Sequence, residues 1–217
     1  MYRRDKKKMN ELNNVKMLGG IGSLLTLAGG FVPNIGIIIL IAGLILVFLS
    51  VKKISDIYNK VSIFKNFMLY FLLMIIAIIA VFAIFFVTFG YVGGFGIIQE
   101  LAAGNTMTEP EAAEFISGIL GPLLTGCLVS LFVGWILLLI SGLFYKKSFT
   151  ELAEITNVGL FKTTGLIYLI GAGTTIFLVG FIIIFVALIM QAISFFSLPE
   201  ELNSNRMKDI TPPITPV

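Results

Sequence analysis

Two stretches of 23 residues, Phe67–Phe89 and Pro122–Phe144, contain no charged side chain. A helix needs about 20 apolar residues to cross a hydrocarbon core about 30 Å thick. Within lipid, every backbone N–H and C=O must be bonded inside the protein, so segments like these can only be helices. Two longer apolar stretches flank them, Met17–Val51 and Thr163–Leu198, broken near their middles by Pro33-Asn34 and by Gly180. One straight helix of 35 residues would be about 52 Å long, far more than the core needs. Proline breaks a helix and glycine accepts positive φ, so each long stretch is expected to fold as a tight helical hairpin.

The expected fold is all-α, an integral membrane domain over residues 1–199 with a flexible cytoplasmic tail over 200–217. Its six helices fall at about 17–32, 35–51, 67–89, 122–144, 164–179 and 181–198: a hairpin, two long spans and a second hairpin. The hairpin helices are short; 16 residues reach only about 24 Å. Six full crossings, and two crossings flanked by re-entrant hairpins, both satisfy the pattern.

Composition removes most chemistry. The chain has no His and one Cys, Cys127. That excludes a Ser-His-Asp triad, a Cys-His pair, a His-ligated metal, a Cys-based zinc site and an internal disulfide. No Asp, Glu, Lys or Arg lies in an expected span, and such groups mark proton relays and ion pathways. No catalytic, cofactor or metal site is expected, and the chain is not expected to be an enzyme or to bind nucleic acid.

Charge sets the orientation. All 15 Lys and Arg, with eight acids, fall on one side of the expected spans; the other side carries only Glu100, Glu109, Glu111 and Glu114. Basic loops stay inside, which places both termini in the cytoplasm and the protein in the cell membrane. The basic start followed by an apolar run lacks a small-residue cleavage pattern, so it reads as a retained first helix.

Local motifs refine this picture. Ile54, Ile57, Tyr58 and Val61 recur at helical spacing, and Ser148 with Glu151 forms a capping-box pattern. Both loops are expected as amphipathic helices on the inner leaflet or as extensions of the preceding span. Thr108-Glu109-Pro110-Glu111 is a helix start, with a short helix towards Leu120 meeting the next span at Gly121-Pro122. The acids there form a solvated face. Thr88–Gly96 superficially resembles a potassium-filter loop, but the order is wrong and a flexible turn is expected. Gln191 is expected to bond across helices, Trp135 to pack, and Cys127 to fill space. The tail, including Thr211-Pro212-Pro213-Ile214-Thr215-Pro216, is expected to be disordered when isolated.

Small residues mark expected contact faces. Gly22, Thr26 and Gly30 lie four apart, as do Gly126, Ser130 and Gly134, with a shorter version at Gly171 and Thr175. Such faces let backbones approach closely where lipid supplies no drive for association. They are read as helix contacts within one chain or between chains. A candidate internal repeat aligns Lys16, Gly19, Ile21 and Phe31 with Lys162, Gly165, Ile167 and Phe177. Lys52-Lys53 to Phe64-Lys65 similarly echoes Lys146-Lys147 to Phe161-Lys162.

The run Lys16-Met17-Leu18-Gly19-Gly20-Ile21-Gly22, with Phe31-Val32-Pro33, resembles an archaeal multi-pass membrane family of unknown function, domain-of-unknown-function family 996. Further matching runs are Ile54-Ser55-Asp56-Ile57-Tyr58, Ser62-Ile63-Phe64-Lys65-Asn66, Phe144–Phe149 and Phe195-Phe196-Ser197-Leu198-Pro199. The resemblance implies an archaeal cell-membrane protein and brings no activity, cofactor or catalytic residue. The expected role is a non-enzymatic subunit or scaffold, in contact with membrane lipids and with copies of itself or other membrane proteins. A passive channel or carrier for small solutes or ions is the alternative.

Overall fold

The computed structural model describes residues 2–103 and 109–199. Its helices are α1 (Tyr2–Gly29), α2 (Gly36–Ile57), α3 (Val61–Tyr91), α4 (Gly94–Ala102), α5 (Glu109–Thr156), α6 (Gly159–Thr174) and α7 (Val179–Phe196). A 3-10 turn, Thr175–Phe177, joins α6 to α7, and there is no strand among the described residues. Among the described residues, five segments are long and apolar enough to cross a membrane: Gly36–Ile57, Val61–Tyr91, Ser117–Thr156, Gly159–Phe177 and Val179–Phe196. The chain is a helical membrane protein.

The helix backbones pack in a closed order. α1 lies beside α2, α2 beside α3, α3 beside α5, α5 beside α6, α6 beside α7, and α7 beside α1. α4 packs on the C-terminal end of α3, where Phe95 meets the Phe89 ring edge-on at 5.2 Å.

Helix ends differ from the expected ones in instructive ways. α2 runs on to Ile57 and α5 to Thr156, through both lysine pairs, so the lysine-bearing loops largely extend the spans. Ser148 is therefore mid-helix and caps nothing; its hydroxyl donates to the Ile63 carbonyl on α3. The chain then turns on Asn59 and Asn157, both left-handed at φ 54° and 59°, a conformation asparagine tolerates better than most residues. The short helix from Glu109 and the fourth span are one helix with Pro122 inside it. Proline costs the Gly118 carbonyl its usual bond. With glycine at 118 and 121 the backbone can yield to the ring, and Thr125 donates to the Gly121 carbonyl at 2.9 Å. Gly90 and Tyr91, expected in a turn, instead complete α3, and the turn follows at Gly93 with φ 74°. The Thr108 cap and the tail beyond Pro199 lie outside the described residues.

The first hairpin turns at Gly30–Ile35, through left-handed Asn34. The second turns at Leu178 (φ 63°), two residues before the glycine that marked it in the sequence. Gly180 serves close approach instead: a side chain there would strike the Gly171 carbonyl and the Thr175 backbone.

Helix lengths set unequal heights. The Trp135 indole N–H donates to the Gly173 carbonyl at 3.1 Å, so the α6–α7 tip lies beside Trp135 of α5. Phe48 of α2 packs against Phe64, Phe67 and Phe71 of α3. Twelve residues of α2 above Phe48 add about 18 Å, which brings its tip level with about Ile79 of α3. Above that level α3 and α5 continue as a pair, with Val81 against Gly134 and Thr88 against Gly126.

Candidate functional site

The sequence marked small-residue faces, and these are placed as follows. Gly22 is buried against α2, where an added Cβ would lie 2.8 Å from the Gly43 carbonyl oxygen. Thr26 lies opposite Gly43 and donates to the Gly22 carbonyl at 2.9 Å. Gly30 is past the end of α1 and exposed; Gly29 makes the close approach to Gly36 and Leu40 instead. The helix ends one residue earlier than the four-residue spacing assumed, which turns Gly30 away from α2. On α5, Gly126 faces Thr88 and Gly134 faces Val81 of α3, while Ser130 is buried and donates to the Cys127 carbonyl. All of these contacts lie within one chain.

The strongest concentration of polar side chains is one the sequence marked only through Gln191. Tyr70, Tyr145 and Tyr168, from α3, α5 and α6, meet inside the ring, with Tyr145 centred 4.9 Å from Tyr70 and 4.3 Å from Tyr168. The Tyr70 and Tyr168 hydroxyls share a hydrogen bond at 3.3 Å. Tyr145 donates to the Gln191 carbonyl oxygen at 2.6 Å, and the Gln191 amide donates to Ser23 at 2.9 Å. Ser23 in turn donates to the Gly19 carbonyl at 2.7 Å. This chain of bonds ties α5, α7 and α1 together. Alongside it, Ser141 donates to the Tyr70 carbonyl, and the Thr164 and Ser194 hydroxyls lie 3.2 Å apart.

Tyrosine in a membrane helix is usually an interface anchor. Here a buried stripe on α5 brings Tyr145 inward: Ser141, Tyr145, Ser148, Phe149 and Leu152, at spacings of three and four. Ending the fourth helix at Phe144 cuts this stripe in two. Its period continued through the lysine pair was the signal available. Below the tyrosines, Phe149 stacks on Tyr145 at 4.1 Å and meets Phe161 edge-on at 5.6 Å; Phe195 closes on Phe161 at 5.2 Å.

Chemically this core is closed. Every buried side-chain nitrogen and oxygen among the described residues has a partner. No group of three or more His, Cys, Asp or Glu gathers to hold a metal among them. At the lysine-bearing rim the Glu151 carboxylate accepts bonds from Ser62 and from Asn66, the latter at 3.0 Å, which pins α5 to the start of α3.

The match to known sequences covers this same helical body. The profile of a family described as a protein of unknown function, DUF996, matches residues 39–189. The chain belongs to this family. The DUF996 match runs from within α2 to within α7, and so includes all three core tyrosines and ends two residues before Gln191. The chain is also similar to the uncharacterized protein MJ1644 of Methanocaldococcus jannaschii. The two are 36% identical over 200 residues, covering 89% of this chain and 97% of the relative. No solved structure matches.

Proposed function

We propose that this DUF996 protein is a non-catalytic subunit of a membrane assembly, whose contact element is the outer half of the α3–α5 pair. One observation carries this: above the hairpin tips these two helices have no neighbour from the hairpins, and their flanks are apolar. Phe82, Phe86, Leu128 and Leu131 are all more than half exposed there. Gly118 and Gly121 add open backbone, since a side chain at either would meet nothing. Partner helices seated over the hairpin tips would complete a bundle in the outer leaflet. The intrachain small-residue faces are occupied, so assembly through them is no longer favoured. Absence of His and of charged spans supports the non-enzymatic role. Native mass spectrometry from mild detergent should show a homo-oligomer or a co-purifying membrane protein. A bare monomer would overturn the assembly role.

Passive passage of solutes or ions is less well supported, because the tyrosines and the phenylalanines beneath them fill the interior of the ring. Flux above that of empty liposomes would favour it.

The finer topology belongs to the same proposal. We take the cytoplasm as the side of the lysines, with both termini there and the protein in the cell membrane. From Lys65 to the level of the tips at Ile79 is only about 21 Å, against a core of about 30 Å. The tips are also apolar, with Phe31 72% and Phe177 75% exposed. They bond much of their own backbone: Gly30, Phe31, Ile35 and Leu178 N–H groups find partners within the turns, and Pro33 has none to satisfy. Both hairpins thus suit a re-entrant path that turns in the outer leaflet, with only α3 and α5 crossing fully. Their shared Gly–Gly approaches, Gly29 to Gly36 and Gly171 to Gly180, support a duplicated hairpin. In a Cys127→Ser background, Phe31→Cys and Phe177→Cys should resist an impermeant maleimide that labels Ala103→Cys. Labelling of both tips from outside would establish six full crossings.

A further inference from the structure

α1 and α2 cross tightly where Gly22 meets Gly43. Towards the cytoplasm the larger side chains take over, and a groove opens between the helices on their outer side. Its deeper half is apolar, lined by Met17, Leu18, Ile21 and Leu46, with Asn14 and Lys53 at its mouth. It adjoins a second hollow at the membrane surface, lined by Glu11, Lys53, Asp56, Ile57 and Asn59. The two measure 370 and 550 Å³, each within the range of small-molecule sites. Lys53 belongs to both, so the hollows form one amphipathic groove along the helix pair.

We propose that this groove binds a phospholipid with a primary-amine headgroup. The apolar half faces the bilayer interior and takes the start of an acyl chain on Met17, Ile21 and Leu46. The Lys53 ammonium lies where the chain would end and the phosphate begin. The two lysines of the pair divide their roles: the Lys52 ammonium sits 5.9 Å from the Phe64 ring centre, on the α3 side, whereas Lys53 lines the groove. Among the described residues, the surface hollow carries one cation and two carboxylates, Glu11 and Asp56. A purely anionic headgroup would meet the phosphate-binding lysine and then two like charges. A zwitterion complements both, with its phosphate on Lys53 and its ammonium on Glu11 and Asp56, through charge-assisted hydrogen bonds. A soluble zwitterion would leave the apolar half empty, so the source is the membrane.

The test uses the full chain, delipidated in mild detergent and titrated in native mass spectrometry. The probes are dioleoyl phosphatidylethanolamine, dioleoyl phosphatidylglycerol and chain-free phosphoethanolamine. The wild type should prefer the ethanolamine lipid. Lys53→Ala should weaken its binding roughly tenfold, as loss of one charge-assisted bond implies. Glu11→Gln with Asp56→Asn should abolish the preference over the glycerol lipid while leaving phosphate binding. Both changes are on the rim, and an unchanged melting temperature checks that each variant is folded. Equal binding of both lipids by the wild type would overturn the proposal. So would undiminished binding by Lys53→Ala, or competition by phosphoethanolamine as strong as by the intact lipid.

Discussion

Gly43→Leu should leave little folded protein at temperatures where the wild type is intact. A Cβ at residue 43 would lie 2.5 Å from the Thr26 nitrogen and 2.6 Å from the Gly22 oxygen. Both are backbone atoms, so no rotamer change relieves the clash, and α1 and α2 must separate. Overpacking commonly costs about 1–3 kcal/mol and more where the backbone must move. The separation also spreads, because Ser50 of α2 donates to the Val15 carbonyl at 2.9 Å and α1 carries the Ser23 end of the polar chain. Gly30→Leu is the control: its Cβ would meet only the Leu27 carbonyl, at an ordinary 3.5 Å. Thermal denaturation followed by size-exclusion chromatography should separate the two variants clearly. Equal melting of Gly43→Leu and wild type would refute the close hairpin packing.

Phe149→Ala should destabilise the lysine-bearing half of the bundle by roughly 3 kcal/mol, the lower end of Phe→Ala losses in protein cores. In lipid the transfer of the ring from water contributes little to that figure, since the unfolded helices also lie in an apolar solvent. The cavity and the lost dispersion contacts dominate. Phe149 is fully buried and touches rings from α3, α5, α6 and α7: Phe67, Tyr145, Phe161 and Phe195. Phe149→Leu should recover part of the loss. Phe86→Ala, at a side chain 55% exposed in the single chain, should leave the melting temperature of the dissociated monomer unchanged. A similar fall in both alanine variants would mean that ring count, not the buried cluster, sets the stability.

The two contrasts show how far the residues alone could lead. Phe149 and Phe86 are the same residue type in equally apolar surroundings along the chain. Which one is core depends on where α6 and α7 return, and no local pattern encodes that. The hairpin near Pro33-Asn34 was legible because proline and a left-handed asparagine act on the backbone where they stand. The second hairpin was legible only in part. Gly180 looked like the turn, yet its lack of a side chain answers Gly171 across the hairpin, and Leu178 takes the turn at a cost of about 1 kcal/mol. The continuity of α5 through Pro122 was hidden because one proline reads as a boundary, while a long helix packed along α3 tolerates one missing bond.

Solvent preference was determined by the sequence itself. Uncharged runs can be stable only in lipid and only as helices, and lysines partition to one face, because these are properties of each residue with its solvent. Tertiary structure decided what those helices do to one another. It brought Tyr70, Tyr145 and Tyr168 from three helices to one point, satisfied Gln191 from both sides, and left α3 and α5 standing above the hairpins. Those outcomes rest on distances between segments far apart in the chain, set by glycine contacts and side-chain volumes that act only once the helices meet.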